Sequence, residues 1–140
     1  MNLERFVSAQ ERDYETALSE IRDGHKKSHW MWYIFPQIAG LGRSSMTQYY
    51  AISDIEEAKA YMQHPVLGPR LVEISGALLQ LPGNNATAVM GYPDDTKLRS
   101  CMTLFMLAAP DEPVFRKVID KYYSGEADER TIALVKAGNK

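Results

Sequence analysis

Residues 24–45 hold the densest set of side chains that could bind a ligand. The stretch GHKKSHWMWYIFPQIAGLGRSS contains both tryptophans, two of the three histidines and a Gly-x-Gly turn. Lys26 and Lys27 could attract a phosphate or carboxylate, and His29 could act as a general base or a hydrogen-bond donor. Short charged runs are more often solvated turns, however, so the lysines alone do not establish an anion site.

Two tryptophans follow this charged turn, and a tryptophan side chain can stack on a planar ring. Trp30 and Trp32 stand two residues apart, so on a helix they point to different sides. We therefore expect at most one of them to face a ligand, and Trp30, next to His29, is the better candidate. The alternative is that both tryptophans belong to the core or to a pocket wall. Gln37 could hold a ring or an amide group of the same ligand.

The loop GLGRSS, residues 40–45, could bind an anion. Gly40 and Gly42 permit backbone conformations that turn successive N–H groups toward a negative charge, and Ser44 adds a hydroxyl group. The loop lacks the spacing and the lysine of a P-loop, and no strand precedes it, which argues against a dinucleotide fingerprint. A Gly-rich turn after a helix is the alternative interpretation, and it is the commoner occurrence.

Three polar side chains recur at intervals of three in the segment that begins at Asp94. Lys97, Ser100 and Thr103 would form one inclined stripe on a helix that is otherwise largely apolar. Burying such groups without partners would cost roughly 1–3 kcal/mol each, so they need either a ligand or partners within the protein. Backbone carbonyls one turn back could accept from the hydroxyls, and Lys97 could pair with Asp94, so both interpretations stay open.

Other kinds of site find little support in the sequence. It contains no H-E-x-x-H or C-x-x-C spacing and no nucleophile elbow, so we expect neither a metal nor a cofactor. The catalytic candidates are His29, as a proton carrier, and Lys97, as an electrostatic stabiliser. A net charge of −2 argues against nucleic-acid binding. The longest apolar run, residues 101–110, is too short to cross a bilayer, so we expect no membrane association and a cytoplasmic location.

The elements that position these residues are predicted to be helices. Apolar residues recur at intervals of three and four, most clearly in residues 67–81. Every position from 30 to 35 is apolar, which fits a buried helix or a buried strand, but no later segment offers the alternating pattern of a partner strand. We predict an all-α fold, a single domain over residues 1–140. It would comprise about seven or eight short helices in orthogonal packing around a central buried helix near 94–109.

Caps and prolines predict where several helices begin and end. Asn2 can cap a short first helix, and Ser8 with Glu11 has the spacing of a capping box for a second one. Pro36 must end the apolar run that precedes it, and Asp128 can cap the last helix.

The motifs of the chain are also those of a known family. They are RF at 5–6, AQ at 9–10, G-x-K-x-SHWMW-x-x-FPQ at 24–37, GLG at 40–42, LG-x-RL at 67–71 and DD-x-KL-x-S-x-MTLF at 94–105. In these the chain resembles the domain-of-unknown-function family 1810, small all-α proteins of bacteria and fungi that are sometimes mislabelled calpastatin. The resemblance implies a compact helical domain and carries no established reaction. Its motif positions that could carry function are Lys26, His29, Trp30, Gln37, Gly40, Gly42, Lys97, Ser100 and Thr103.

These observations lead to two functional hypotheses. In the first, the 24–45 segment and the 94–105 helix meet in a cleft that binds a small anionic molecule, nucleotide-like or phosphorylated. In the second, the chain is a protein-interaction module, and the same motifs tie helices together in a buried hydrogen-bond network. Exposure distinguishes them, because a ligand site must be open whereas a structural network is sealed.

Overall fold

The computed structural model describes residues 2–138, and the helical prediction is confirmed. Nine helices form in these residues, rather than the seven or eight predicted. They are α1 (Glu4–Arg22), α2 (Met31–Ile34), α3 (Ser45–Tyr50), α4 (Ile55–Gln63), α5 (Leu67–Gln80), α6 (Ala86–Met90), α7 (Asp94–Ala108), α8 (Val114–Tyr123) and α9 (Glu129–Gly138). The helices α3 and α6 have six and five residues, which is too short for a periodic pattern to reveal them.

The first helix is continuous, so the prediction of two helices in this part of the chain is wrong. Ser8 lies inside α1 and donates to Glu4 Oε1, 3.2 Å away, instead of capping a new helix. Buried residues recur along one face from Phe6 to Ile21 without interruption, and this face holds the helix together as one unit.

The predicted central helix is α7, and the structure confirms its position. Every residue from Leu98 to Phe105 is buried except Arg99, so the helix is buried on nearly all sides there. It packs against α4, α6, α8 and α9, so most of the core converges on it. Its first turn, by contrast, is only partly buried, and this end of the helix meets the 24–45 segment.

A short pairing of backbone segments shapes the chain between α2 and α4. The α2 helix ends before Pro36, as predicted, and the chain then forms a single parallel bridge between Ile38 and Ile52. Ala39 N donates to Ile52 O and Ile52 N donates to Gln37 O, each at 2.8 Å. The loop 40–44 and helix α3 lie between the two bridge residues.

The last helix begins where its predicted cap requires. Asp128 Oδ2 accepts from Thr131 N at 3.0 Å and from Thr131 Oγ1 at 2.6 Å. Within residues 2–138, no helix combines the length and the apolar character needed to cross a membrane.

Candidate functional site

A buried carboxylate holds the turn that precedes α2. Glu20, near the end of α1, accepts from the backbone amides of Lys27 at 2.7 Å and Ser28 at 2.9 Å, from Ser28 Oγ at 2.6 Å and from the Trp30 indole N–H at 3.0 Å. Burial by itself raises the pKa of Glu20, but these hydrogen bonds outweigh it and lower the pKa from 4.5 to about 2. The turn is therefore held by an ionised side chain.

An ion pair joins this turn to the first residues of α7. Lys26 Nζ lies 2.9 Å from Asp94 Oδ2, and the lysine side chain is only 7% exposed. The same ammonium group donates to Ser28 O at 2.6 Å and lies 4.9 Å from the centre of the Trp30 ring. Lys97 Nζ approaches the other oxygen of Asp94 at 3.6 Å, so one carboxylate holds both lysines. Lys26 thus positions the N-terminal end of α7, and its charge is already paired with Asp94 rather than directed at a ligand.

A cleft of about 330 Å³ opens beside this ion pair. It is bordered by the loop after α2, by the first two turns of α7 and by the start of α9. The lining residues are Gln37, Leu41, Gly42, Thr96, Lys97, Arg99, Ser100, Asp128 and Arg130. Segments far apart in the chain therefore form one concave surface.

Three cationic side chains line this cleft. Lys97 and Arg99 project from α7, with side chains 28% and 33% exposed, and Arg130 stands in the first turn of α9. Arg99 donates through Nε to Glu126 O at 2.7 Å and through one terminal nitrogen to Ala127 O at 3.2 Å. Within residues 2–138, Arg130 has neither a hydrogen-bond acceptor nor a carboxylate partner. The guanidinium group of Arg99 is therefore fixed by the protein, whereas that of Arg130 is free, among the described residues, to bind a ligand.

The loop side of the cleft offers hydrogen-bonding groups that the protein leaves unused. The backbone N–H groups of Leu41 and Gly42 donate to no acceptor in the part of the chain that the structure describes. The side-chain amide of Gln37 likewise has no partner there. Donors of this kind beside cationic side chains suit an anionic oxygen.

Close packing explains both glycines of the GLG turn. A Cβ atom on Gly42 would lie 2.6 Å from Thr47 Cγ2, and Gly40 has φ of +105° with Leu134 beside it. This packing is compatible with the predicted alternative, a Gly-rich turn after a helix. It does not conflict with ligand binding, because Gly42 lines the cleft whereas Gly40 does not.

The two hydroxyl groups of the predicted stripe connect α7 to α9. Ser100 Oγ lies 3.3 Å from both Thr96 O and Asp128 Oδ2, and Thr103 Oγ1 accepts from Asp128 N while donating to Arg99 O, each at 2.8 Å. Thr103 is completely buried. These bonds are structural, and they orient Asp128 and the first turn of α9 along the cleft.

The structure brings part of the predicted site together. Four of the ten predicted ligand-binding residues line the cleft, namely Gln37, Gly42, Lys97 and Ser100. The other six lie outside its lining, namely Lys26, His29, Trp30, Gly40, Ser44 and Thr103.

Several of those six have other roles. Trp30 is 1% exposed with its indole N–H bonded to Glu20, which corrects the expectation that it faces a ligand. Ser44 caps α3 by accepting from Thr47 N at 3.1 Å. His29 is exposed and is not among the lining residues.

Five lining residues were not predicted, namely Leu41, Thr96, Arg99, Asp128 and Arg130. Thr96 and Arg99 had a usable signal, because Thr96 stands four residues before the predicted Ser100 and three before Arg99, and residues at these intervals are neighbours on a helix surface. Arg130 had none, because only the bonds between α7 and Asp128 bring the start of α9 to this cleft.

Fold and site together define a small helical protein with a cationic cleft, and comparison assigns it to a family. Residues 1–135 match the family described as "Protein of unknown function (DUF1810)", and the chain belongs to that family. Its structure is similar to that of the conserved hypothetical protein Rv1873 from Mycobacterium tuberculosis, with a TM-score of 0.94 and 47% sequence identity over 96% of each chain. The curated proteins include none that matches.

Proposed function

We propose that this protein binds a small anionic molecule, nucleotide-like or phosphorylated, in the cleft between the 24–45 segment and the 94–105 helix. The observation that carries the proposal is the convergence of Lys97, Arg99 and Arg130 on one concave surface. The chain as a whole has a net charge of −2, so this concentration of positive charge is local. Among the lining residues the opposing charge is that of Asp128, which two hydrogen bonds from Thr131 already occupy. Just outside the lining, Asp94 lies 3.6 Å from Lys97 and Glu126 lies 4.0 Å from Arg99.

The size and the polarity of the cleft support a small ligand. A volume of about 330 Å³ lies at the lower end of the range of small-molecule sites. A phosphate group could accept from the cationic side chains on one side and from the Leu41 and Gly42 amides on the other, each a charge-assisted hydrogen bond. We place this binding in the cytoplasm, where phosphorylated metabolites are abundant and where the free thiol of Cys101 would persist.

The proposal concerns binding, and it assigns Lys97 the central electrostatic role. Lys97 lines the cleft and is held by Asp94, so it is oriented before a ligand arrives. This is also the geometry required of a side chain that stabilises developing negative charge. His29 is not among the residues that line the cleft, so it is not part of the proposal.

Titration calorimetry with sodium phosphate and with adenosine monophosphate tests the proposal. Arg130→Ala removes an exposed cation that has no partner among residues 2–138, so the fold should persist. We expect its affinity for either anion to fall about tenfold or more, because hydrogen bonds to charged groups contribute about 1.5–3 kcal/mol each. Lys97→Ala should weaken binding similarly, and Lys26 still neutralises Asp94 in that variant.

Matched controls separate the cleft from general surface charge. Arg22 and Lys117 are exposed and have no ion-pair partner among the described residues, and both lie outside the cleft lining. Arg22→Ala and Lys117→Ala should bind both anions like the wild type. Failure of every anion to bind, or an equal loss in controls and cleft variants, would refute the proposal.

The interaction-module hypothesis accounts for a different part of the structure. Thr103, which is completely buried, makes the kind of bond between helices that this hypothesis requires, whereas Ser100 lines the open cleft. The hypothesis gives no reason for the unused amides of Leu41 and Gly42 or for the unpaired Arg130 at an open cleft. Anion binding explains those groups, so we retain it as the leading function.

A further inference from the structure

A second hollow, of about 420 Å³, adjoins the cationic cleft. The two share Thr96 and Arg99 on α7, so Arg99 stands between them as a common wall. The hollow extends from there to the loop before α6 and to the end of α8. Its polar lining groups include Asn84, Asp95 and the edge of Tyr123.

Arg99 can serve both hollows at once. Its Nε and one terminal nitrogen donate to the carbonyls of Glu126 and Ala127, which fixes the plane of the guanidinium group. A guanidinium has five N–H donors, so three make no hydrogen bond among residues 2–138, although one terminal nitrogen also lies 4.0 Å from Glu126 Oε2. One ligand lying across Arg99 could accept from these donors on both sides of the wall.

The second hollow is less positive than the first, because Asp95 offsets the shared Arg99 and no other cationic residue of the described chain lines it. Asp95 is its acidic residue, and Thr87 Oγ1 and Thr96 N donate to its two carboxylate oxygens. Each oxygen retains a further lone pair, so the carboxylate can still accept a hydrogen bond from a ligand hydroxyl. A second phosphate group would be repelled there, whereas a neutral group with O–H donors would be attracted.

Asn84 adds the complementary hydrogen-bonding groups. It lies exposed in the loop before α6, and its side-chain amide has no hydrogen-bond partner in the described part of the chain. An amide offers both a donor and an acceptor, as sugar hydroxyl groups require. The hydroxyl groups of the two tyrosines nearby already donate within the protein, that of Tyr122 to Leu78 O and that of Tyr123 to Asp95 O.

We infer that the ligand is a phosphorylated sugar, free or as part of a nucleotide, which lies along α7 with its phosphate in the cationic cleft and its hydroxyl groups in the second hollow. This inference rests on the proposed anion binding and specifies its substrate class. From Asp95 to Ser100 the helix rises about 7.5 Å, a span comparable with one pentose phosphate. The charge difference between the hollows sets the direction in which the ligand lies.

Calorimetry with methyl phosphate and ribose 5-phosphate tests the inference, because both are phosphate monoesters and only the second carries sugar hydroxyls. We expect wild-type protein to bind ribose 5-phosphate about tenfold or more tightly than methyl phosphate, the effect of one or two additional hydrogen bonds. Asn84→Ala should remove most of this advantage and leave the affinity for methyl phosphate unchanged. Gln63→Ala, an exposed amide far from α6, should behave like the wild type.

The outcomes distinguish this inference from the proposed function. Equal affinity for the two esters would overturn the inference that one ligand occupies both hollows, while leaving anion binding intact. So would a tighter binding of ribose 5-phosphate that persists in Asn84→Ala. If neither ester binds, the proposed function and this inference both fall.

Discussion

Neutralising Glu20 should destabilise the protein strongly at neutral pH. In Glu20→Gln, the two backbone amides, the Ser28 hydroxyl and the Trp30 indole lose an ionised acceptor. The pKa of Glu20 is lowered from 4.5 to about 2, and at about 1.4 kcal/mol per pH unit this corresponds to about 3 kcal/mol of stability carried by the charged form. For a chain of this length the loss should lower Tm by roughly 10 °C.

The stabilisation by Glu20 should depend on pH in a direction that its lowered pKa determines. Because the folded-state pKa is below the unfolded value, the stabilisation is complete above pH 4.5 and disappears as the pH falls from 4.5 toward 2. The difference in unfolding free energy between wild type and Glu20→Gln should therefore be about 3 kcal/mol at pH 7 and less than half of that at pH 3.

Urea denaturation followed by tryptophan fluorescence measures this difference directly, because Trp30 reports on the same turn. Glu11→Gln, at an exposed position of α1, is the matched control and should be close to neutral. A Glu20→Gln protein within about 0.5 kcal/mol of wild type at pH 7 would refute the reasoning. A difference that does not shrink on acidification would do the same.

Two further predictions concern packing and the α7–α9 connection. Gly68→Ala should destabilise by about 1–3 kcal/mol or more, because its Cβ would lie 2.2 Å from Met62 O, whereas Gly76→Ala in the same helix meets nothing within 4 Å and should stabilise by about 0.5–1 kcal/mol. Chemical denaturation of the pair tests this, and equal effects would contradict it. Thr103→Val should cost about 1–3 kcal/mol by leaving Asp128 N without its acceptor, and phosphate calorimetry should show weaker binding as the start of α9 loosens. Unchanged stability and affinity would show that the bond does not position that helix.

Much of the fold could be predicted from the sequence because the patterns that indicate its helices are local. Leu67, Leu71, Ile74 and Leu78 recur at helical intervals, and all four are buried in α5. Pro36 and Asp128 act through the backbone groups of their immediate neighbours, so their effects did not depend on the rest of the molecule.

The fold errors arose where a local motif competed with a longer pattern. Ser8 and Glu11 have capping-box spacing, yet the apolar face of α1 continues past them and decides the outcome. Ser53 and Glu56 also have capping-box spacing, which predicts Ser53 as the cap of α4, yet the cap is Asp54, which accepts from Glu57 N at 2.9 Å. Neighbouring residues with similar side chains can exchange the role of cap at little cost.

The candidate site was predictable only in part, for a related reason. Residue type identified Lys97 and Gln37 as groups able to hold a ligand, and both line the cleft. The same criterion selected Lys26 and Trp30, which are equally polar or aromatic but have partners inside the protein. Residue type describes what a side chain can do, whereas burial and the nearest acceptor decide what it does.

The sequence by itself determined the helical architecture, the buried position of α7 and the concentration of chemically able residues in two segments, because these follow from periodicity and composition. Tertiary structure alone decided that Asp94 would hold Lys26 and Lys97 together and that Arg130 would reach the cleft. Those contacts depend on how three helices pack in space. The spacing of residues along the chain does not give the distance in space between side chains from separate segments, and only folding brings these within a few ångströms of each other.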